Sequence, residues 1–348
     1  MMDAGITFRR RGKVTIRDVA RHAGVSVATV SAVINRNKPV SAPLRERVER
    51  AVAELHYRPN LAARALHMPR ARTLAFLLPS VSNPFFSDMV MAVEAAAHEH
   101  GYGVFVGTSG GDPAKVAFYR DRIPAMAIDG VLVAMSWDML SGDLIPALRA
   151  HGVSVVGIGG SRSMPDIDCF SGDDVDAGRK VGRYLLALGH RRIAFLGPAD
   201  SEAAALRRQG LAESLQEQGA EPDDALWMQV RGHGERQGYR GTEELLARNV
   251  HFSALVGFND LAALGALSAL EDQGFRVPER ISVVGFGDTV SAFSRPKITT
   301  VAYPKEAMVR SALNRLLQRI EGSDDAPELR RFPVELRIRQ STRAAATA

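Results

Sequence analysis

Two rhythms of apolar residues run along this chain, and one replaces the other near residue 70. Between Val14 and Asn35 the apolar positions Ile16, Val19, Ala20 and Ala23, then Val30, Val33 and Ile34, recur at helical steps of three and four. Thr15 stands just before the first set as an N-cap, and Asp18 suits the positive end of that helix. Gly24 stops it, because glycine takes the left-handed C-cap conformation at little cost. Val25 follows as a buried plug, and Ser26 caps a second helix from Val27 to Asn35. Two short helices joined by a three-residue turn containing glycine read as a helix-turn-helix, with a plain αα-hairpin as the alternative. The second helix then offers Val27, Ala28, Thr29 and Ala32 near its outer, N-terminal side, the end that meets base edges in a DNA-binding unit. A third helix is expected over Pro43 to His56, with Leu44, Val48, Val52 and Leu55 on one face and Arg45, Arg47 and Arg50 outside. Glu46, Glu49 and Glu54 on the same helix fit a solvated surface in part. Pro59 starts and Pro69 stops a further Ala/Leu-rich stretch of about ten residues, too short to be a stable helix alone in water.

Past residue 70 short apolar runs alternate with helix-length amphipathic segments. The runs predict strands over Thr73–Leu78, Gly103–Val106, Gly130–Ala134, Ser154–Gly157, Arg192–Leu196, Trp227–Arg231, Ala254–Gly257 and Ile281–Phe286. Segments such as Asp88–His100, Gly178–Leu188 and Leu261–Gln273 predict the helices between them. Strand, helix, strand in succession means βαβ units, a parallel sheet and right-handed crossovers in doubly wound layers. The region is too long for one such sheet. A split near Ser161–Pro165 makes two lobes, with a ligand cleft beyond the carboxyl ends of the strands.

Charge divides the chain at the same place. The first seventy-two residues hold 15 Lys and Arg against 5 Asp and Glu, a net of +10, and the remainder holds 29 against 34, a net of −5. A small basic head on a mildly acidic body is the layout of a protein whose head meets phosphate. Arg9–Lys13 extends the basic region as a disordered arm. Several chemistries drop out. The single cysteine, Cys169, allows no internal disulfide and no cysteine-based metal cluster. The nine histidines show no zinc-site spacing. Gly107–Gly111 lacks the lysine of a phosphate loop, and Gly157–Gly160 misses the dinucleotide fingerprint. No nucleophile, base and orienting acid stand out in a hydrolase pattern, so neither an enzyme nor a cofactor is expected. No apolar stretch reaches membrane length and no signal peptide leads the chain, so a cytoplasmic home is expected.

Thr15–Asn35 together with Tyr57–Leu66 resembles the head and hinge of the lactose-repressor (LacI/GalR) family of bacterial transcription regulators, through T-I-R-D-V-A, A-G-V-S, T-V-S and V-I-N. The resemblance continues through Asn83–Phe86, Leu188–Arg191, Phe258–Asp260 and Pro296 with Thr299–Val301. It implies a small all-α helix-turn-helix head on an α/β, two-lobed body like a periplasmic binding protein, built from two doubly wound parallel sheets. The implied divisions are an arm over 1–13, a DNA-binding head over 14–58, a hinge over 59–70, a body over 71–340 and a disordered tail over 341–348. One lobe would hold about 71–162 and 292–322, the other about 163–291 and 324–340. The lobe crossings would fall near Ser161–Pro165, Val290–Ser294 and Gly322–Ala326.

The implied DNA-contacting positions are Thr15, Ser26, Val27, Ala28, Thr29, Ala32, Asn35, Asn60, Ala63 and Leu66. Leu66 would wedge between base pairs in the minor groove, the cost of unstacking being offset by contacts that the bend allows. The small side chains of Val27, Ala28 and Ala32 leave little for bidentate base readout, so thymine methyls, Thr29, Asn35 and DNA shape carry more of it. The implied effector-contacting positions are Phe85, Phe86, Asp173, Arg207, Asn259 and Asp288, with Asp260 as a helix cap and His233 as a surface residue. For Arg207 an ion pair between the lobes is the competing reading, and for the two phenylalanines core packing. One departure falls at Gly287, where the family carries an Asp that holds sugar hydroxyls. Losing that carboxylate removes an acceptor and also a repulsion of anions, which points to a modified or acidic sugar. The partners implied are double-stranded DNA with a near-palindromic operator, a sugar or sugar-acid effector, and a second or further copies of the chain as a homodimer or tetramer, with no membrane. The function implied is a transcriptional regulator, a repressor in most of the family. The alternative is a sugar-binding protein of periplasmic type whose head is an accessory.

Overall fold

The computed structural model describes residues 14–35, 38–57, 70–134, 142–160 and 166–345. The chain divides into two compact units, residues 1–70 and 71–348.

The first unit contains α1 (Ile16–Ala23), α2 (Val27–Asn35) and α3 (Ala42–Glu54). Thr15 and Asp18 form a reciprocal capping box at the start of α1, satisfying two orphan donors. Gly24 closes it in the left-handed conformation, φ 61°, with its N–H on the Ala20 and Arg21 carbonyls. Ser26 Oγ accepts from Thr29 N at 3.1 Å and so caps α2. Val19, Ala20, Ala23, Val30, Val48 and Ala51 make the core that all three helices share, and Val25 packs against it partly buried. Arg47 lies on the exposed face as expected and has a structural task besides. Its Nη2 donates to Ala23 O at 2.6 Å and Gly24 O at 3.2 Å, so it closes the C-terminal carbonyls of α1.

The second unit holds two six-stranded sheets of matching design. The first contains β1 (Thr73–Leu78), β2 (Gly103–Thr108), β3 (Gly130–Ala134), β4 (Ser154–Ile158), β5 (Asp168–Gly172) and β11 (Leu329–Phe332), in the order β11-β5-β4-β3-β1-β2. The second contains β6 (Ile193–Pro198), β7 (Trp227–Val230), β8 (Ala254–Gly257), β9 (Ser282–Phe286), β10 (Thr299–Ala302) and β12 (Glu335–Arg337), in the order β12-β10-β9-β8-β6-β7. Neighbouring strands run parallel except β12, which pairs antiparallel to β10. Each sheet therefore reverses its winding at its first strand, β1 or β6, and a crevice opens there at the carboxyl ends.

Helices α4 (Pro84–Glu99), α5 (Pro113–Arg122) and α6 (Leu144–Ala150) serve the first lobe. Helices α7 (Asp174–Ala187), α8 (Glu202–Glu217), α9 (Glu235–Ala247) and α10 (Asp260–Asp272) serve the second. The last described helix, α11 (Lys305–Ile320), packs on α4, β3, β4 and β5 and so returns to the first lobe.

This connectivity moves all three lobe crossings about ten residues later than the sequence suggests. The chain stays in the first sheet through Gly172, returns between Ala302 and Lys305, and leaves again between Phe332 and Glu335. The boundaries placed at 162/163, 291/292 and 322/324 are therefore corrected. Those expectations come with the family resemblance, and the apolar runs do not mark β5, β10, β11 or β12 as strands. Their inward positions include Asp168, Ser171, Thr299 and Thr300, all buried and polar, so no apolar run marks them. A further correction concerns the tail, since Ser341–Ala345 is built into the second lobe. Ser341 Oγ donates to Val283 O at 2.5 Å, Thr342 Oγ1 meets Tyr184 Oη at 2.8 Å, and Ala345 N donates to Leu188 O at 2.8 Å. The buried His190 ring bridges Ser253 Oγ at 2.9 Å and Arg343 O at 3.0 Å.

Candidate functional site

Two surfaces carry chemistry, one in each unit. On the head, Val27 and Ala28 are exposed at the N-terminal end of α2 beside the exposed hydroxyl of Ser26. Thr15 is exposed, and Thr29 is half-buried with its Oγ1 2.9 Å from Ser26 Oγ. Ala32 is buried, which corrects its placement on the exposed reading face. Asn35 closes α2. Asn60, Ala63 and Leu66, and the arm at Arg9–Lys13, lie outside the described residues.

In the body, the strand ends and the crossings bring a cluster together between the lobes. Asn83 caps α4 through Phe85 N, which sets Phe85 and Phe86 on the first turn after β1, both half-buried. The two rings meet edge to face at 5.7 Å, and Phe85 meets Tyr303 of the second crossing likewise at 5.8 Å. Tyr303 donates its hydroxyl to Asp174 Oδ1 at 2.6 Å, and Arg207 Nε donates to the same oxygen at 2.8 Å. Arg207 Nη1 also reaches Phe258 O at 2.5 Å, and its guanidinium lies 4.9 Å from the Phe286 ring centre and 5.2 Å from that of Tyr303. The Arg207 and Asp174 side chains are only 11% and 6% exposed, so this is a buried pair. Burial weakens the Arg207 charge, but Asp174 outweighs it and the guanidinium stays protonated, its pKa raised above the usual value. Burial likewise pushes the Tyr303 hydroxyl well above its usual range.

Glycine fixes this cluster in place. A Cβ at Gly178 on α7 would sit 2.1 Å from Arg207 O, and one at Gly210 on α8 would sit 1.9 Å from Val175 O. The two helices therefore touch backbone to backbone, which holds Arg207 over Asp174. At the first crossing a Cβ on Gly172 would lie 2.3 Å from the Tyr303 ring.

The carboxylates after β8 and β9 differ from expectation. Asn259, not Asp260, caps α10: its Oδ1 accepts from Ala262 N at 2.7 Å, while its Nδ2 donates to His233 O at 2.9 Å. Asp260 instead is buried and accepts from Thr289 N at 2.7 Å and Thr300 Oγ1 at 2.5 Å. Burial raises its pKa despite those bonds. Asp288, placed at the effector by resemblance, is turned to the β12 edge. It takes φ 49°, and its oxygens accept from Arg337 Nη1 at 2.6 Å, Arg339 Nη2 at 2.5 Å and Ser291 Oγ at 3.3 Å. Those donors occupy both oxygens, so Asp288 does not replace the carboxylate missing at Gly287. Gly287 itself has φ 126°, a conformation that side chains rarely take. Asp173 caps α7 through Asp176 N at 2.9 Å, half-buried at the first crossing. His233 is an exposed residue whose ring edge meets Phe258 at 5.7 Å.

Sequence reasoning missed Asp174, Tyr303 and Lys305. Asp174 hides among three acids, Asp173, Asp174 and Asp176, of which only Asp174 is buried. Tyr303 and Lys305 gain their place solely because Ala302–Lys305 is a crossing.

The fold and cleft define a class: a helix-turn-helix head on a two-lobed body of periplasmic-binding type. Residues 15–60 match the model of bacterial regulatory proteins of the lacI family, and residues 183–342 match that of a periplasmic binding protein-like domain. The transcriptional regulator GalS of Salmonella typhimurium is 36% identical over 321 residues, covering 90% of this chain and 92% of its own. A crystal structure of the Lac repressor dimer bound to operator and an anti-inducer is 30% identical, with a TM-score of 0.83, covering 95% of this chain and 99% of that one. A complex of the regulator CelR with cellobiose is 32% identical, with a TM-score of 0.71 and coverages of 94% and 99%. The chain belongs to the lacI family of bacterial regulatory proteins and is a DNA-binding transcriptional regulator. Among the described residues no helix is long and apolar enough to cross a membrane, and no three His, Cys, Asp or Glu are grouped as a metal site would need.

Proposed function

We propose that this regulator is a cytoplasmic repressor without catalytic activity, whose grip on a near-palindromic operator is set by a sugar or sugar acid held between its lobes. The observation that carries this reading is the cluster Phe85, Tyr303, Arg207 and Asp174 beside a lobe crossing. It joins both lobes at the strand ends, so a ligand there changes the lobe angle. The relatives support it, since CelR is described with cellobiose and the Lac repressor with operator. Such a ligand acts by binding one lobe angle better than the other, with a coupling of about 1–3 kcal/mol in usual cases.

On the head, Val27, Ala28 and Thr29 are the proposed base-facing residues, with Thr15, Ser26 and Asn35 flanking them and Asn60, Ala63 and Leu66 in the minor groove by family resemblance. Two copies of the chain would place two such helices in successive major grooves. The direct test is fluorescence anisotropy of the full chain on palindromic DNA from its own upstream region. Tight, steeply salt-dependent binding is expected, because phosphate contacts release counterions. Operator affinity that stays constant between low and high salt would remove the reading.

A further inference from the structure

Two cations border the cleft, and their counter-ions differ. Arg207 is paired with Asp174, and both are buried. Lys305, the first residue of α11, donates its Nζ to Asp88 of α4. Here the cation is 16% exposed but the carboxylate is 51% exposed. Nζ also stands 3.4 Å from Gly287 O, in the opposite lobe, and 5.4 Å from the centre of the Phe85 ring. A cation at a helix N-terminus faces the positive end of the helix dipole, so Lys305 gains from any further anion. Beside it the missing side chain of Gly287 leaves a place that an atom would fill in ordinary van der Waals contact. A Cβ there would meet nothing closer than Phe85 Cδ2 at 3.6 Å, Thr289 Cγ2 at 3.7 Å and Asp260 Oδ2 at 3.9 Å.

We infer that Lys305 recognises an oxyanion carried by the effector, which enters the space at Gly287 and takes Nζ from Asp88. This rests on the reading of the cleft as the effector site. The exchange is feasible at Lys305 and not at Arg207. Asp88 is half in water already and returns to it at little cost, whereas releasing Asp174 would strand a buried carboxylate. The nearest acid to the gap, Asp260, is buried and its oxygens are taken by Thr289 N, Thr289 Oγ1 and Thr300 Oγ1. Because Nζ already touches the second lobe at Gly287, an anion held there joins the two lobes and favours closure.

The test uses the full-length protein and titration calorimetry with gluconate, glucose 6-phosphate and glucose. The first two separate a carboxylate from a phosphate, and glucose carries neither. Wild type is expected to bind one of the anions at least tenfold tighter than glucose. Lys305→Met should weaken that anion at least tenfold, Lys305→Arg should recover much of it, and Asp88→Asn should tighten it several-fold. Operator binding, measured on the same preparations, should be retained by each variant and certifies folding. Unchanged anion affinity in Lys305→Met overturns the inference, as does glucose binding as tightly as either anion, or no binding by any of the three. If operator is bound and Lys305→Met makes no difference, only the role of Lys305 falls; if no operator is bound, the regulator reading itself falls.

Discussion

The two lobes share one strand order and are held together by different means. In the second lobe the cleft-facing groups are locked by backbone. Helices α7 and α8 touch through Gly178 and Gly210, and α9 and α10 through Gly238 and Gly265, where a Cβ would lie 2.1 Å from Ala262 O and 1.9 Å from Glu235 O. In the first lobe the fastening is ionic. Asp168 at the start of β5 accepts from Arg315 Nε and Arg319 Nε, each at 2.8 Å, and from Glu328 N at 2.9 Å. That cluster ties β5 to α11 and to the segment leading into β11. The lesson is one of division of labour. The second lobe presents a rigid wall, and the first presents aromatic rings and an exchangeable lysine on two helix N-termini.

The comparison breaks most sharply at Asp168. Asp168→Ala leaves the largely buried Arg319 without its counter-charge and Arg315 with only the exposed Asp325, and should cost about 3–5 kcal/mol, read as a fall in urea midpoint. Unchanged stability would show that the first lobe is not fastened there. Next comes Gly178→Ala, which must push α8 away from α7 and should cost about 1–3 kcal/mol by overpacking. It should also disturb the effector response, because the clash is with the backbone of Arg207 itself. Thermal unfolding and effector titration check the two parts separately. Arg207→Ala should abolish the effector response, and circular dichroism should show a loss of stability alongside it, since Asp174 is left buried and unpaired.

Acid sharpens the comparison because Asp168 and Asp260, one in each lobe, respond with opposite sign. In Asp168, burial opposes ionisation, but Arg319 and Arg315 outweigh it and the pKa is lowered. Its contribution is present above the unfolded pKa of about 3.9 and is lost as pH falls through the lower folded value. Burial raises the pKa of Asp260, so its contribution is present in acid and is lost as pH rises from about 3.9 through the folded value. Urea melts from pH 3 to pH 7 should therefore show Asp168→Asn flattening the acid decline and Asp260→Asn steepening it. Burial also lowers the pKa of His190, although Arg343 O opposes it. That clamp on the tail holds above the unfolded pKa of about 6.5 and weakens as pH falls through the lower folded value. The smallest effect concerns Cys169. Burial pushes its thiol up to about 12, so thiol reagents should label it only after unfolding.

Much of this architecture was legible without coordinates, and the unread parts share a cause. The head was read closely: Thr15, Gly24 and Ser26 cap the helices as expected, because capping is decided within three or four residues. Strands β1, β3 and β8 fall on the residues their apolar runs mark. The late strands were missed because β11 and β12 are mostly exposed, while β5 and β10 carry buried polar residues; none shows a continuous apolar run. In the cleft, Phe85 and Arg207, both expected there, meet the same Tyr303 ring, and Phe86 packs on Phe85. Asp288 was misplaced, because the sequence shows a carboxylate but not the two arginines forty-nine and fifty-one residues later that claim it.

The sequence by itself determined the helix-turn-helix, the βαβ rhythm, the charge division and the family, since each is written in spacings of a few residues. Only the tertiary structure decided where the chain changes lobes, which partners Asp260 and Asp288 take, and which of two cations has a buried counter-ion. Those outcomes depend on burial and on partners distant in sequence. An ion pair between Lys305 and Asp88 spans 217 positions, and no local pattern can declare it.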